Sequence, residues 1–113
     1  MQQTANSASL DTMLDMLRDS HRRRILLAVS NHNPRTEGEF TTDSFTPDET
    51  SEDEIEGLKT QLHHVHLPKM ADKGYIKWHP ITETIRRGPN FADIAPLLKL
   101  MDDHEDELPA DWP

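Results

Sequence analysis

Apolar residues recur with helical spacing in four stretches of the chain and as two β-prone runs in a fifth. Leu10, Met13, Leu14 and Leu17 fall at i, i+3, i+4 and i+7 and line one face of a helix from Leu10 to Arg18. Asp19 and Ser20 are capping residue types. The apolar positions Ile25, Leu26 and Val29 then predict a second helix that ends near Ser30, before the turn formers Asn31, Asn33 and Pro34. Ile55, Leu58, Leu62 and Val65 predict a third helix, with acids from Glu52 to Glu56 at the end where the helix dipole favours them. Pro68 must kink or restart that helix, and Lys73-Gly74 is its stop. Tyr75-Ile76-Lys77-Trp78 and Glu83-Thr84-Ile85-Arg86, separated by His79 to Thr82, predict a two-stranded hairpin. Asn90 is placed to cap a last helix with Asp93 at its third position. Phe91, Ile94, Leu97, Leu98, Leu100 and Met101 give that helix a wide apolar stripe, and Pro109 ends it.

Between the second and third helices the chain turns polar, with Pro34, Gly38 and Pro47 as breakers, yet Phe40 and Phe45 are apolar enough to pin the segment to the core. Thr42 is placed to cap one helical turn through Phe45. Residues 1–9 are polar and uncharged and read as a disordered tail. Residues 10–108 read as one domain, and 109–113 as a C-terminal tail whose Trp112 is available to pack back. With 113 residues, 34% of them apolar, the chain fills one modest core and has no room for a second domain or a large enclosed pocket.

No cysteine is present, which excludes disulfides, thiol catalysis and Cys-based zinc fingers. No stretch approaches the length of a membrane span, and a cytoplasmic protein is the expectation. The net charge of -9 opposes nucleic-acid binding on its face, but the charge is segregated. Acids cluster at Asp48 to Glu56 and Asp102 to Glu107, and bases at Arg22 to Arg24, Lys59, Lys69 and Arg86 to Arg87. An acidic excess also suits solubility in a very salty cytoplasm, a halophilic trait that concerns habitat and not activity.

Two segments resemble the ArsR-type winged-helix regulators: Leu17-Arg18-Asp19-Ser20-His21-Arg22-Arg23-Arg24-Ile25-Leu26, and His66-Leu67-Pro68-Lys69-Met70-Ala71-Asp72-Lys73-Gly74-Tyr75-Ile76. The stretch from Leu10 to Trp112 also resembles small haloarchaeal winged-helix proteins taken as transcriptional regulators. It includes Leu62-His63-His64-Val65-His66-Leu67-Pro68, Arg86-Arg87-Gly88-Pro89 and Glu107-Leu108-Pro109. The resemblance implies a mainly α fold with a small β-hairpin, a winged helix-turn-helix with an added C-terminal helix. The segment from Asn31 to Ser51 departs from that pattern by shortening the middle helix.

The function implied is a transcriptional regulator that binds double-stranded DNA as a homodimer, with the third helix in the major groove and the hairpin, as wing, on adjacent phosphates. The candidate contacts are Lys59, Thr60, Gln61, His63, His64 and Lys69 on the helix and Lys77, His79, Thr84, Arg86 and Arg87 on the wing. A solvated surface is the plain alternative for each. Of Arg22, Arg23 and Arg24, which point three ways round a helix, one is free for DNA and the others suit pairing with Asp15, Asp19 or the acidic C-terminal segment. The dimer rests on Leu10, Met13, Leu14, Phe91, Ile94, Leu97, Leu98 and Met101.

No metal or other cofactor is expected. His63, His64 and His66, with His21 and His79 as further candidates, are metal-ligating types, but His63 and His64 diverge by about 100° on a helix and His66 falls on the core side; Asp102 with His104 resembles half of the zinc-sensing motif of some ArsR-type sensors, and its second half is missing. There is no Gly-rich phosphate loop or Ser nucleophile motif, so no enzyme is expected. The competing reading, motivated by the net charge and the shortened middle helix, is a protein-interaction module with a basic partner or another regulator.

Overall fold

The computed structural model describes residues 9–41 and 51–113, so the expected turn from Thr42 to Phe45 lies outside the described residues. The order is α1 (Leu10–Leu17), α2 (Ser20–Asn31), β1 (Arg35–Thr36), a 3-10 turn (Glu37–Thr41), α3 (Glu52–Gln61), a π-turn (Leu62–His66) and α4 (Leu67–Asp72). Then follow β2 (Ile76–His79), β3 (Thr84–Arg87), α5 (Phe91–Asp103) and a last 3-10 turn (Glu105–Glu107). The fold is mainly α with a small antiparallel sheet.

The caps account for the helix starts. Ser9, expected in the tail, accepts from the Thr12 amide and opens α1. Asp19 accepts from the amides of His21 and Arg22 and opens α2. Ser51 and Glu54 form a reciprocal capping box at α3. The N-terminus of α5 differs: the Asn90 side chain makes no cap, and its Nδ2 donates instead to the Lys73 carbonyl at 3.1 Å, holding the end of α4 against the start of α5.

Pro68 does not break the third helix. Its missing N–H and its ring would strip an ordinary turn of a bond, and the ladder instead shifts to i→i−5, with the Leu67 amide donating to the Leu62 carbonyl. The rod therefore runs on from Glu52 to Asp72. The wider turn also resets the inward phase: after Leu62 the buried positions are His66 and Leu67, and Val65, expected on the apolar stripe, is 42% exposed. The rod stops at Gly74, whose φ of 78° is open to glycine. The Gly74 amide bonds the Ala71 carbonyl and the Tyr75 amide bonds Met70, the paired closure of a Schellman end.

β3 is the centre of a three-stranded sheet in the order β1-β3-β2. The sequence pattern gave no sign of β1, which pairs Arg35 with Ile85 and Thr36 with Thr84. Met13, Met16 and Leu17 of α1 share the core with Ile25, Leu26 and Val29 of α2, Phe40, Leu62, Leu67, Met70, Tyr75, Ile76 and Ile85, and with Phe91, Ile94 and Leu98 of α5.

Gly88 sits where three backbone segments meet. A Cβ built there would lie 2.3 Å from the Gly74 carbonyl oxygen and 2.8 Å from backbone atoms of Ile76. Gly88→Ala is expected to cost about 1–3 kcal/mol, the usual range for overpacking, because the obstruction is backbone and cannot rotate away. Urea unfolding measures it, and an unchanged midpoint would contradict this account of the junction.

Candidate nucleic-acid interface

Strand alternation sorts the basic residues of the hairpin. Ile76 and Ile85 are buried and Trp78 is half-buried, so Lys77, His79, Thr84 and Arg86 stand on the opposite, outer face. The register places Lys77 directly across from Arg86 and His79 directly across from Thr84. Lys77 and Arg86 are exposed, and neither side chain has a hydrogen bond or ion pair among the described residues. Like charges directly opposite on a sheet destabilise it. Among the described residues no acid pairs with either side chain to relieve this repulsion.

Arg87 follows the other face. Its Nε donates to the Val29 carbonyl at 3.0 Å and its Nη2 to Ser30 at 2.9 Å, closing the C-terminal end of α2, while the guanidinium lies 5.8 Å from the Phe91 ring centre. Two further candidates are engaged in the fold. Lys69 Nζ pairs with Asp15 Oδ2 at 2.8 Å, and this hydrogen bond and charge hold the Asp15 carboxyl below its usual range. His63 Nε2 bonds Glu37 Oε1, and Glu37 Oε2 accepts from Trp78 Nε1 at 2.7 Å. Glu37 is only 5% exposed, so one buried carboxylate joins the π-turn to β2. Sequence pattern offered no sign of it, since it stands in a polar stretch among other acids.

On α3, Lys59, Thr60 and Gln61 are exposed, as is His64 on the π-turn. Thr60 Oγ1 donates to the Glu56 carbonyl, and Lys59 Nζ lies 3.8 Å from the Glu56 carboxylate. Lys59 also lines a cleft of about 340 Å³ with Glu37, Gly38, Leu62, His63 and Glu83, so the end of α3 and the hairpin turn border one space. α3 buries none of its residues fully, and Glu52, Asp53 and Glu54 fill its first turn. Of the eleven expected DNA contacts, the four on the outer face of the hairpin are thus grouped, four on the rod remain accessible, and His63, Lys69 and Arg87 hold the protein together.

Arg22 and Arg23 are structural. Arg22 is buried: its Nε donates to the Met16 carbonyl at 2.8 Å and its Nη2 to Asp15 at 3.0 Å. Arg23 Nη1 donates to Leu17 at 2.9 Å and Arg18 at 3.1 Å. Two side chains therefore bond the carbonyls of Asp15, Met16, Leu17 and the cap residue Arg18 at the end of α1, where a helix runs out of its own amide donors. Arg22 Nη1 is 3.2 Å from His66 Nδ1. Arginine only donates, so Nδ1 accepts and the ring proton sits on Nε2, facing Asp19 Oδ1 at 3.8 Å.

The expected dimer face is corrected in part. Met13, Phe91, Ile94 and Leu98 are buried inside the subunit, because α5 must close the core over the sheet and α2, and they offer nothing to a partner. Leu10 and Leu14 on α1 and Leu100 on α5 are exposed, and Leu97 and Met101 are half-buried against the core. The C-terminal segment also packs back: Trp112 Nε1 donates to Asp102 at 3.3 Å, and Arg23 Nη2 reaches the Asp111 carbonyl. Asp102 is occupied in this way and His104 bonds Glu107, so the half-motif at the end of α5 is satisfied internally.

The arrangement defines a small α+β protein with a basic hairpin face on an acidic body, and no helix among its described residues is long and apolar enough to cross a membrane. Residues 14–86, from α1 to β3, match a family described as a domain of unknown function (DUF7344), and the chain belongs to that family. No curated protein and no solved structure matches it.

Burial lowers the His66 pKa below its ordinary value; the Asp19 carboxylate opposes this, and Arg22, His21 and Lys69 add to it. The unfolded chain, with its histidine near pH 6.5, then binds more protons than the native one just below that pH. In chelator-containing buffer this contribution to stability is complete above about pH 6.5 and is lost as pH falls through the folded value. Denaturation midpoints across pH 4 to 8 measure it. His66→Gln, whose amide can accept from Arg22 and donate to Asp19, is expected to flatten the slope, and an equally steep slope in that variant would refute the assignment.

Proposed function

We propose that the chain is a DNA-binding transcriptional regulator of winged-helix architecture that works in the cytoplasm as a homodimer and contacts duplex DNA first through its β2–β3 wing. The order of three helical segments, hairpin and final helix supports the architecture. The observation that carries the function is the unrelieved Lys77–Arg86 cross-strand pair. A phosphate bridging the two would remove a repulsion that the free protein retains, and His79 and Thr84 extend the same face by one residue pair. Gln61 and His64 are the side chains positioned to read bases, while the acidic first turn of α3 is repelled by phosphate. Docking is therefore wing-led, with the C-terminal half of the rod approaching the groove.

Leu10, Leu14 and Leu100 supply the apolar surface for a second copy. The acidic, unburied α3 favours a second reading, in which the partner is a basic protein surface.

Fluorescence anisotropy with duplex DNA from the gene's own upstream region tests the DNA reading. Lys77→Ala and Arg86→Ala are each expected to weaken binding and to reduce the slope of log affinity against log salt by about 1, whereas Arg87→Ala lowers stability and leaves that slope unchanged. Binding that is absent, or indifferent to Lys77 and Arg86, overturns the reading in favour of the protein partner. Sedimentation is expected to show a dimer at micromolar concentration that Leu14→Glu with Leu100→Glu dissociates, and a wild-type monomer would remove the dimer.

A further inference from the structure

Asp19, His21 and His66 come together where the start of α2 meets the π-turn, and theirs is the one group of three metal-ligating side chains gathered in this way among the described residues. Asp19 Oδ1 lies 3.3 Å from His21 Nδ1 and 3.8 Å from His66 Nε2, and all three donor atoms fall within 4.8 Å of one another. The two imidazoles stack with their centres 5.4 Å apart. His21 Nδ1 is shielded from solvent and has no hydrogen-bond partner. The His63-His64-His66 run pointed away from a metal site because its members diverge. The third helix instead contributes His66 alone, and the other two donors come from a helix 45 residues earlier in the chain.

We propose that Asp19, His21 and His66 bind one divalent transition-metal ion of the zinc class. Ligand bonds of about 2.0–2.1 Å in tetrahedral array put neighbouring donors about 3.3 Å apart. The His21–Asp19 spacing already meets this, and His66 must close by about half an ångström. Two nitrogens and one carboxylate oxygen suit zinc, cobalt or nickel and do not suit magnesium or calcium, which take oxygen ligands. The side chains of Asp19 and His21 are 33% and 41% exposed, which gives the ion an entry and leaves the fourth position to water.

Arg22 defines the exchange. It donates to His66 Nδ1, so the metal-free ring holds its only proton on Nε2. Metal uptake moves that proton to Nδ1, which frees the Nε2 lone pair for the metal; the ring stays a neutral imidazole and the Arg22–His66 hydrogen bond is given up. The bound ion would cross-link the start of α2 to the rod. The site does not depend on the DNA reading and is tested without DNA.

The full-length protein, stripped with chelator, is titrated with Zn2+ by calorimetry and with Co2+ by visible absorption. One ion per chain, a raised melting temperature and the absorption bands of four-coordinate Co2+ are expected. Asp19→Asn keeps an equally good N-cap and removes the anionic ligand. His21→Ala truncates a half-exposed side chain, so both variants are expected to fold. Each is expected to weaken Zn2+ binding about tenfold or more, with His104→Ala unchanged. No Zn2+ binding by the wild type, or affinity retained in both Asp19→Asn and His21→Ala, would overturn the site.

Discussion

Arg22 is the contact on which the rest of the molecule depends. α1 is eight residues long and cannot satisfy its own final carbonyls. A buried guanidinium takes two of them and turns its remaining nitrogen to His66, in the middle of the rod. One side chain therefore fixes the corner between α1 and α2 and the depth at which the rod sits. The cost of burying its charge is offset by three hydrogen bonds and by the Asp15 carboxylate, whose pKa the Arg22 charge helps to lower. Arg23 bonds the carbonyls of Leu17 and Arg18 from the outer side, so two members of the basic run that invites a phosphate reading are spent on ending a helix.

A parallel arrangement governs the sheet. Glu37, buried in a short 3-10 turn after β1, takes the His63 imidazole with one oxygen and the Trp78 indole with the other. The rod and the hairpin are thereby fixed to each other through one carboxylate, across the cleft that Lys59 and Glu83 border. Asp19 is held in turn by its neighbours. Burial alone would raise its pKa, yet His66 and the amides of His21 and Arg22 outweigh that and hold it below its ordinary value. Among the described residues the buried charged and polar side chains are Arg22, Glu37 and His66, and each lies where elements join.

Periodicity was enough for the helices and the hairpin, because their apolar positions repeat and their ends carry capping residues. It failed at three places for three physical reasons. Val65 was expected inward and stands outward because the π-turn before Pro68 inserts an extra residue per turn, a shift no 3.6-residue pattern contains. β1 is two residues long, too short for alternation to show. The stripe of α5 looked too wide for one subunit because the sheet and α2, which cover Ile94 and Leu98, are assembled from distant parts of the chain. The candidate site was legible as residue types but not as partners. Spacing could say that Lys69 and His63 lie on a helix, and only the tertiary fold could show that Asp15 and Glu37 already hold them.

The hairpin register has a further consequence. Arg86 and Arg87 are neighbours in sequence with opposite duties, one facing out beside Lys77 and the other folded over Phe91 to close α2, and only the pleat separates them. A one-residue slip of β3 against β2 would turn Ile85 out of the core and carry Arg87 away from the α2 carbonyls at the same stroke. The length of the turn between Pro80 and Glu83 therefore constrains this fold more than the identity of the residues in it.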